Sequence, residues 1–211
     1  MDFAAMAKLC APAVAPGLLQ RIASVESSNN PFAIGVVGGR LTRQPSNASE
    51  ALATASALKE GGWDFSVGLV QVNQKNFARY DLTPAAAFDP CTNLRVGGQI
   101  LVDCYKRAGG TVTRMGDALS CYYAGNFTTG YRLGYVARVE QGRAGAQQIG
   151  AGIAIPVVAE IHRHSIRTST ASDRQLAPTD VFVSASAPPN GATATRDLSL
   201  STSANPSALL F

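Results

Sequence analysis

No apolar run in this sequence approaches the roughly 20 residues that a membrane-crossing helix needs, so a helical span is not expected. Lys and Arg are scattered and form no run, and a net charge of +4 favours anionic partners only weakly. A nucleic-acid interface is therefore not expected. Histidine occurs only at His162 and His164, late in the chain. That leaves a central site without a Ser-His pair or a histidine metal set. The start, MDFAAMAKLC, has neither a charged leader nor a long apolar segment, so no export signal is visible. With 15% charged and 46% hydrophobic residues in 211, the chain supports one sizeable core.

Cysteine is also sparse, and Cys10, Cys91, Cys104 and Cys121 fit neither a CxxC redox motif nor a zinc ligand set. A disulfide framework in an oxidising compartment is the expectation, against four buried thiols as the alternative. If Cys91 and Cys104 bracket one helix, its rise holds them about 20 Å apart, whereas bridged Cα atoms lie within about 7 Å. Two pairings remain: Cys10 with Cys91 and Cys104 with Cys121, or Cys10 with Cys104 and Cys91 with Cys121. A short turn at Gly109-Gly110 would bring Cys104 near Cys121 and favours the first.

The stretch LLQRIASVESS at residues 18–28 places one carboxylate on an apolar helical stripe. Leu18, Ile22 and Glu26 recur at helical spacing, with Leu19 and Val25 beside them. Pro16 and Gly17 suit a helix start, and Ser27, Ser28, Asn29, Asn30 and Pro31 suit its end. Burial among aliphatic side chains disfavours the charged form, so Glu26 is a candidate general acid near neutral pH. From this stretch alone, a salt-bridged or snorkelling glutamate at a helix end is the favoured reading.

Residues 30–44, with Gly35, Gly38 and Gly39, read as a loop or small ribbon beside the acid. Residues 47–60 read as an alanine-rich helix opened by an Asn47/Glu50 capping pattern and closed by Gly61-Gly62. In the short apolar stretch WDFSVGLVQVN, Gln71 lies between Val70 and Val72 and needs a partner, either a sugar group or the protein itself. Helices are expected over residues 92–107, where Gly97 and Gly98 allow close approach, over 114–123, and over 131–140 with Tyr135, Val136 and Val139 on one side. The fold class is mainly α.

From about residue 141 the composition turns to Ser, Thr, Ala and Pro, as in SASAPPNGATATRD. This predicts a domain over residues 1–140 and a largely disordered tail over 141–211, with a short docking segment at 153–161.

The ordered motifs Glu26-Ser27, GLVQV at 68–72, FDPCTNL at 88–94, CYYAGN at 121–126 and YVARV at 135–139 resemble those of lytic transglycosylases with a goose-lysozyme-like helical fold. SVGLVQVNQKNFARYDL and NPFAIGVVGG look like the members that accompany type IV secretion and conjugation systems. The resemblance spans about residues 9–140. It implies a lysozyme-like helical domain with Glu26 as the sole catalytic carboxyl. It also implies Ser27, Gln71, Tyr122 and Tyr135 as substrate-site residues. Two positions depart from the pattern: Val70 stands where Met is common, and Tyr123 stands where Asn is usual, so Asn126 is the candidate replacement amide.

The implied reaction cleaves the β-1,4 bond between N-acetylmuramic acid and N-acetylglucosamine in peptidoglycan strands and leaves a 1,6-anhydro end. No metal or cofactor is required. The implied partners are peptidoglycan and type IV secretion components, and the implied compartment is the periplasm. Two alternatives remain open: a muramidase-type hydrolase using Asp64 as a second carboxylate, and a non-catalytic wall-binding assembly factor, motivated by Tyr123 and the tail.

Overall fold

The computed structural model describes residues 2–142 and 152–158. The expected flexible tail lies, beyond residues 141–142 and 152–158, outside the described residues, as do both histidines. Among the described residues the fold is mainly α, as expected, with two small sheets where a loop or ribbon was expected.

Helix α1 (Phe3–Cys10), which sequence periodicity did not reveal, is capped by the Asp2 carboxylate accepting from the Ala5 amide at 2.8 Å. Helix α2 (Pro16–Ser27) begins with proline at its first turn and ends at Ser28 and Asn29, both with left-handed φ. Its buried side differs slightly from the predicted stripe. Leu19, Ile22, Ala23 and Ser27 are buried, whereas Leu18, Val25 and Glu26 are half-buried at the border. Small Ala23 and Ser27 let the helix approach the core closely, which rotates the acid to the edge of the packed face. Full burial of Leu19 and Ile22 contributes about 1.5–3 kcal/mol each.

The ribbon region holds β1 (Ile34–Val36) and β2 (Gly39–Leu41), which belong to different sheets. Strand β1 pairs antiparallel with β3 (Phe65–Val67), Ile34 opposite Val67, and β3 pairs antiparallel with β4 (Val72–Asn73). Strand β2 instead pairs in parallel with β5 (Ile153–Ile155), Gly39 opposite Ile153 and Leu41 opposite Ile155. Part of the expected docking segment is thus a strand.

Between β2 and β3 in the chain, α3 (Ala48–Glu60) is opened by Asn47, whose side chain accepts from the Glu50 amide at 2.9 Å. The reciprocal half of the capping box is altered. The Glu50 carboxylate accepts from the Ser46 amide at 2.9 Å and forms a two-pronged ion pair with Arg43, which holds its pKa down to about 2.

The long helix α4 (Pro90–Arg107), N-capped by Asp89, runs through the core and packs on α1 and α5 (Met115–Ala124). Its small residues permit these contacts: a Cβ on Gly98 would lie 3.0 Å from Ala11 Cβ, and one on Gly97 would collide with Val70. Disulfides Cys10–Cys91 and Cys104–Cys121 tie α1 to α4 and α4 to α5, the pairing favoured by the Gly109-Gly110 turn.

The helix expected over residues 131–140 is broken into α6 (Thr129–Arg132) and α7 (Tyr135–Glu140). Gly134, at φ +71°, makes the break, and Asn126 starts the first piece by accepting from the amides of Thr128 and Thr129. Tyr135, Val136 and Val139 are buried, as the spacing predicts.

Candidate active site

Glu26 lies in the last turn of α2, where the negative end of the helix already disfavours a second negative charge. The residue as a whole keeps some exposure, but its carboxyl is desolvated, and that burial pushes its pKa up to about 7. The Tyr135 hydroxyl and the charge of Arg138 partly oppose the shift. Both lie on α7, which packs against α2. Tyr122 of α5 completes the surroundings: burial and the nearby Glu26 charge raise its phenol well above the usual range. No carboxylate is among the described groups that shift Glu26.

The two tyrosines are held differently. The Tyr122 hydroxyl donates to the Val70 carbonyl at 2.6 Å. Tyr135 is 1% exposed, and its hydroxyl faces the Glu26 carboxyl, its hydrogen-bonding neighbour in the site.

The backbone of residues 67–71 is clamped from three helices. Ser27 of α2 donates its hydroxyl to the Leu69 carbonyl at 2.7 Å and to the Ala23 carbonyl at 3.0 Å. Asn93 of α4, fully buried, accepts from the Val70 amide and donates to the carbonyls of Val67 and Ala87, each at 2.9 Å. Tyr122 of α5 supplies the contact from the third helix, through its bond to the Val70 carbonyl. Gly68, at φ +80°, lies so close to the Asn93 amide that a Cβ would collide with it. Asn93 was not singled out from sequence. Its signal was an amide embedded in the apolar helix of FDPCTNL, where a buried polar group requires partners.

The remaining candidates are engaged within the protein. The Gln71 side-chain amide donates to the carbonyls of Ala33 and Gly68 at 3.1 and 3.0 Å, and its carbonyl lies over Gly35. This is the self-satisfied arrangement among the two that sequence allowed, and Gln71 itself holds left-handed φ of +50°. Asn126 caps the turn into α6 and donates to the Ala124 carbonyl. Asp64 forms a 2.6 Å ion pair with Lys75 and accepts from Asn73.

Tyr123, half-buried, stacks its ring on Tyr135 with centroids 4.5 Å apart and planes at 16°. A separate apolar cavity of about 310 Å³ lies between α3 and residues 74–88. Its lining includes Phe65, Phe77, Leu82 and Phe88, and none of the predicted site residues.

Comparison with known proteins gives one family match: residues 3–142 fit the transglycosylase SLT domain. The type IV secretion system protein virB1 of Brucella suis is 51% identical over 137 residues, covering 63% of this chain and 58% of its own. The protein virB1 of Agrobacterium fabrum is 37% identical over 155 residues, covering 70% of this chain and 60% of its own. The chain thus spans under two thirds of the length of these relatives. No solved structure matches it.

Proposed function

The chain belongs to the transglycosylase SLT domain family, and from that premise we propose that it is a peptidoglycan lytic transglycosylase with Glu26 as its only catalytic carboxyl. The observation that carries this reading is the desolvated Glu26 carboxyl, poised near pH 7 beside Tyr135 and Tyr122 with no carboxylate among the described groups acting on it.

The chemistry follows from that environment. Protonated Glu26 donates to the glycosidic oxygen between N-acetylmuramic acid and N-acetylglucosamine, and the C1–O bond breaks. The resulting carboxylate then takes the proton of the C6 hydroxyl of the same muramyl residue. That oxygen bonds to C1, closing the 1,6-anhydro ring and returning the proton to Glu26. A carboxyl with a pKa near the working pH serves both transfers, and no second carboxylate is needed to activate water. Tyr135 and Tyr122 set the acid's position and charge cost, and Arg138 favours its ionised state in the second step.

Ser27 and Gln71 act in this reading through the backbone they hold: Ser27 fixes residue 69 against α2, and Gln71 joins residue 68 to the strand region before Gly35. Asn126 supports the CYYAGN turn. The hydrolase alternative gains no support, because Asp64 is committed to Lys75 and Asn73.

The working place we propose is the periplasm, supported by the two disulfides. The task is local opening of the wall for a type IV secretion apparatus, supported by the names of the virB1 relatives. We take residues 1–140 as the catalytic unit. The test is mass spectrometry of fragments released from murein sacculi. Anhydromuramyl ends, absent with Glu26→Gln, are expected; reducing ends heavier by one water would overturn the reading in favour of hydrolysis.

A further inference from the structure

We propose that Tyr123 is a positioning residue for the acid: stacked on Tyr135, it fixes the ring whose hydroxyl faces Glu26 and closes that side of the carboxyl to water. This inference rests on Glu26 being the catalytic acid, and it gives the residue at an unusual motif position a specific task. Its basis is geometric. The Tyr135 ring is buried and its hydroxyl faces the Glu26 carboxyl. The ring is backed by the nearly parallel face of Tyr123, 4.5 Å away. Tyr123 is itself half-buried at the outer side of the pair. Removing its ring therefore frees Tyr135 and admits solvent toward Glu26.

The direction of the effect is determined by which influence on Glu26 is largest. Desolvation raises its pKa and outweighs the lowering by Tyr135 on α7 and by Arg138 on the same helix; Tyr122 on α5 is the other titratable group facing it. Water entry weakens the largest influence, so the acid becomes stronger when Tyr123 is lost. The Tyr123 phenol plays no part in this argument, only its ring.

The test compares Tyr123→Phe, Tyr123→Asn and Tyr123→Ala by two measurements on the full chain. The first is a carboxyl carbon-13 NMR titration of Glu26 in free protein, assigned by difference from Glu26→Gln. The second is the pH profile of fragment release from sacculi. Tyr123→Phe is expected to match the parent in both. Tyr123→Asn and Tyr123→Ala are expected to lower the Glu26 midpoint and the alkaline limb together by about one pH unit, with kcat down about tenfold and KM within about twofold. Tyr123→Asn is polar at a half-exposed site, so it carries the test if Tyr123→Ala fails to fold.

An unmoved Glu26 midpoint in the folded variants overturns the proposal, as does a Tyr123→Phe shift as large as that of Tyr123→Ala. The titration also separates this inference from the reading beneath it. A lowered midpoint in a protein that releases no fragments supports the positioning role and sinks the transglycosylase. Anhydro products with an unmoved midpoint do the reverse.

Discussion

Ser27 reaches 42 residues along the chain to donate its hydroxyl to the Leu69 carbonyl at 2.7 Å, from a side chain that is 4% exposed. The residue after the acid therefore locks α2 to the turn that Asn93 and Tyr122 hold from the other side. Ser27→Ala leaves a buried carbonyl short of a donor, at a cost of about 1–3 kcal/mol. Urea unfolding is expected to show that loss. Steady-state release of fragments should show kcat falling more than KM, since Ser27 acts on the acid's placement.

If Glu26 is the acid as proposed, activity should decline on the alkaline side with a midpoint near pH 7, because the proposed first step needs Glu26 protonated and its pKa is raised to about 7. A profile of kcat/KM against pH on sacculi or a soluble glycan checks this. A limb near 4.5, the ordinary glutamate value, would mean that the carboxyl is solvated in the working enzyme.

The same shift makes the acid destabilising at high pH. A carboxyl whose folded pKa lies above its unfolded value binds more protons when folded. Its contribution is full below about 4.5 and is lost as pH rises through about 7. Glu26→Gln removes that ionisation. It is expected to abolish fragment release and to raise the melting temperature relative to the parent at pH 8, with a far smaller difference at pH 4.5. The upper bound on the gain is about 3 kcal/mol, and calorimetry at the two pH values reads it.

The disulfides should not be equivalent. Cys10–Cys91 closes 81 residues and Cys104–Cys121 only 17. Chain entropy assigns them about 4–5 and about 3 kcal/mol respectively. Paired Ser substitutions, followed by guanidinium unfolding, are expected to show the larger loss for the long loop.

Much of this was legible in the sequence, for reasons that differ by residue. Glu26 stood out because helical spacing places a charge beside Ile22, and Gly97 because a glycine pair inside a helix signals close approach. Helix rise narrowed the cystine pairings to two, and a short turn favoured the one observed. Helix α1 was missed because Phe3–Cys10 is short and alanine-rich, so its apolar residues mark no narrow stripe. The break at Gly134 was missed because one glycine within a helical pattern is ordinarily tolerated. Nor did alternation reveal that β1 and β2 enter separate sheets, since the partner of β2 comes more than a hundred residues later.

That late strand yields another expectation. Truncation after Gln141 removes β5 and the bond from the Val158 amide to Thr54 Oγ1, leaving β2 with an open edge. Truncation after Val158 keeps both. The shorter form is expected to melt several degrees lower and to exchange the Thr42 amide, which β5 protects through Ile155, much faster.

The clamp on residues 67–71 also bears on the order in which this protein acquires its properties. Its four bonds join positions 42, 23, 26 and 52 residues apart, so each requires a sizeable loop to close before it forms. A chain that has folded α2 alone possesses the acid but not the apolar enclosure that keeps it protonated. On the proposed function, cutting power is then a property of the finished domain. A nascent or partly unfolded copy is harmless to the wall on which it would act.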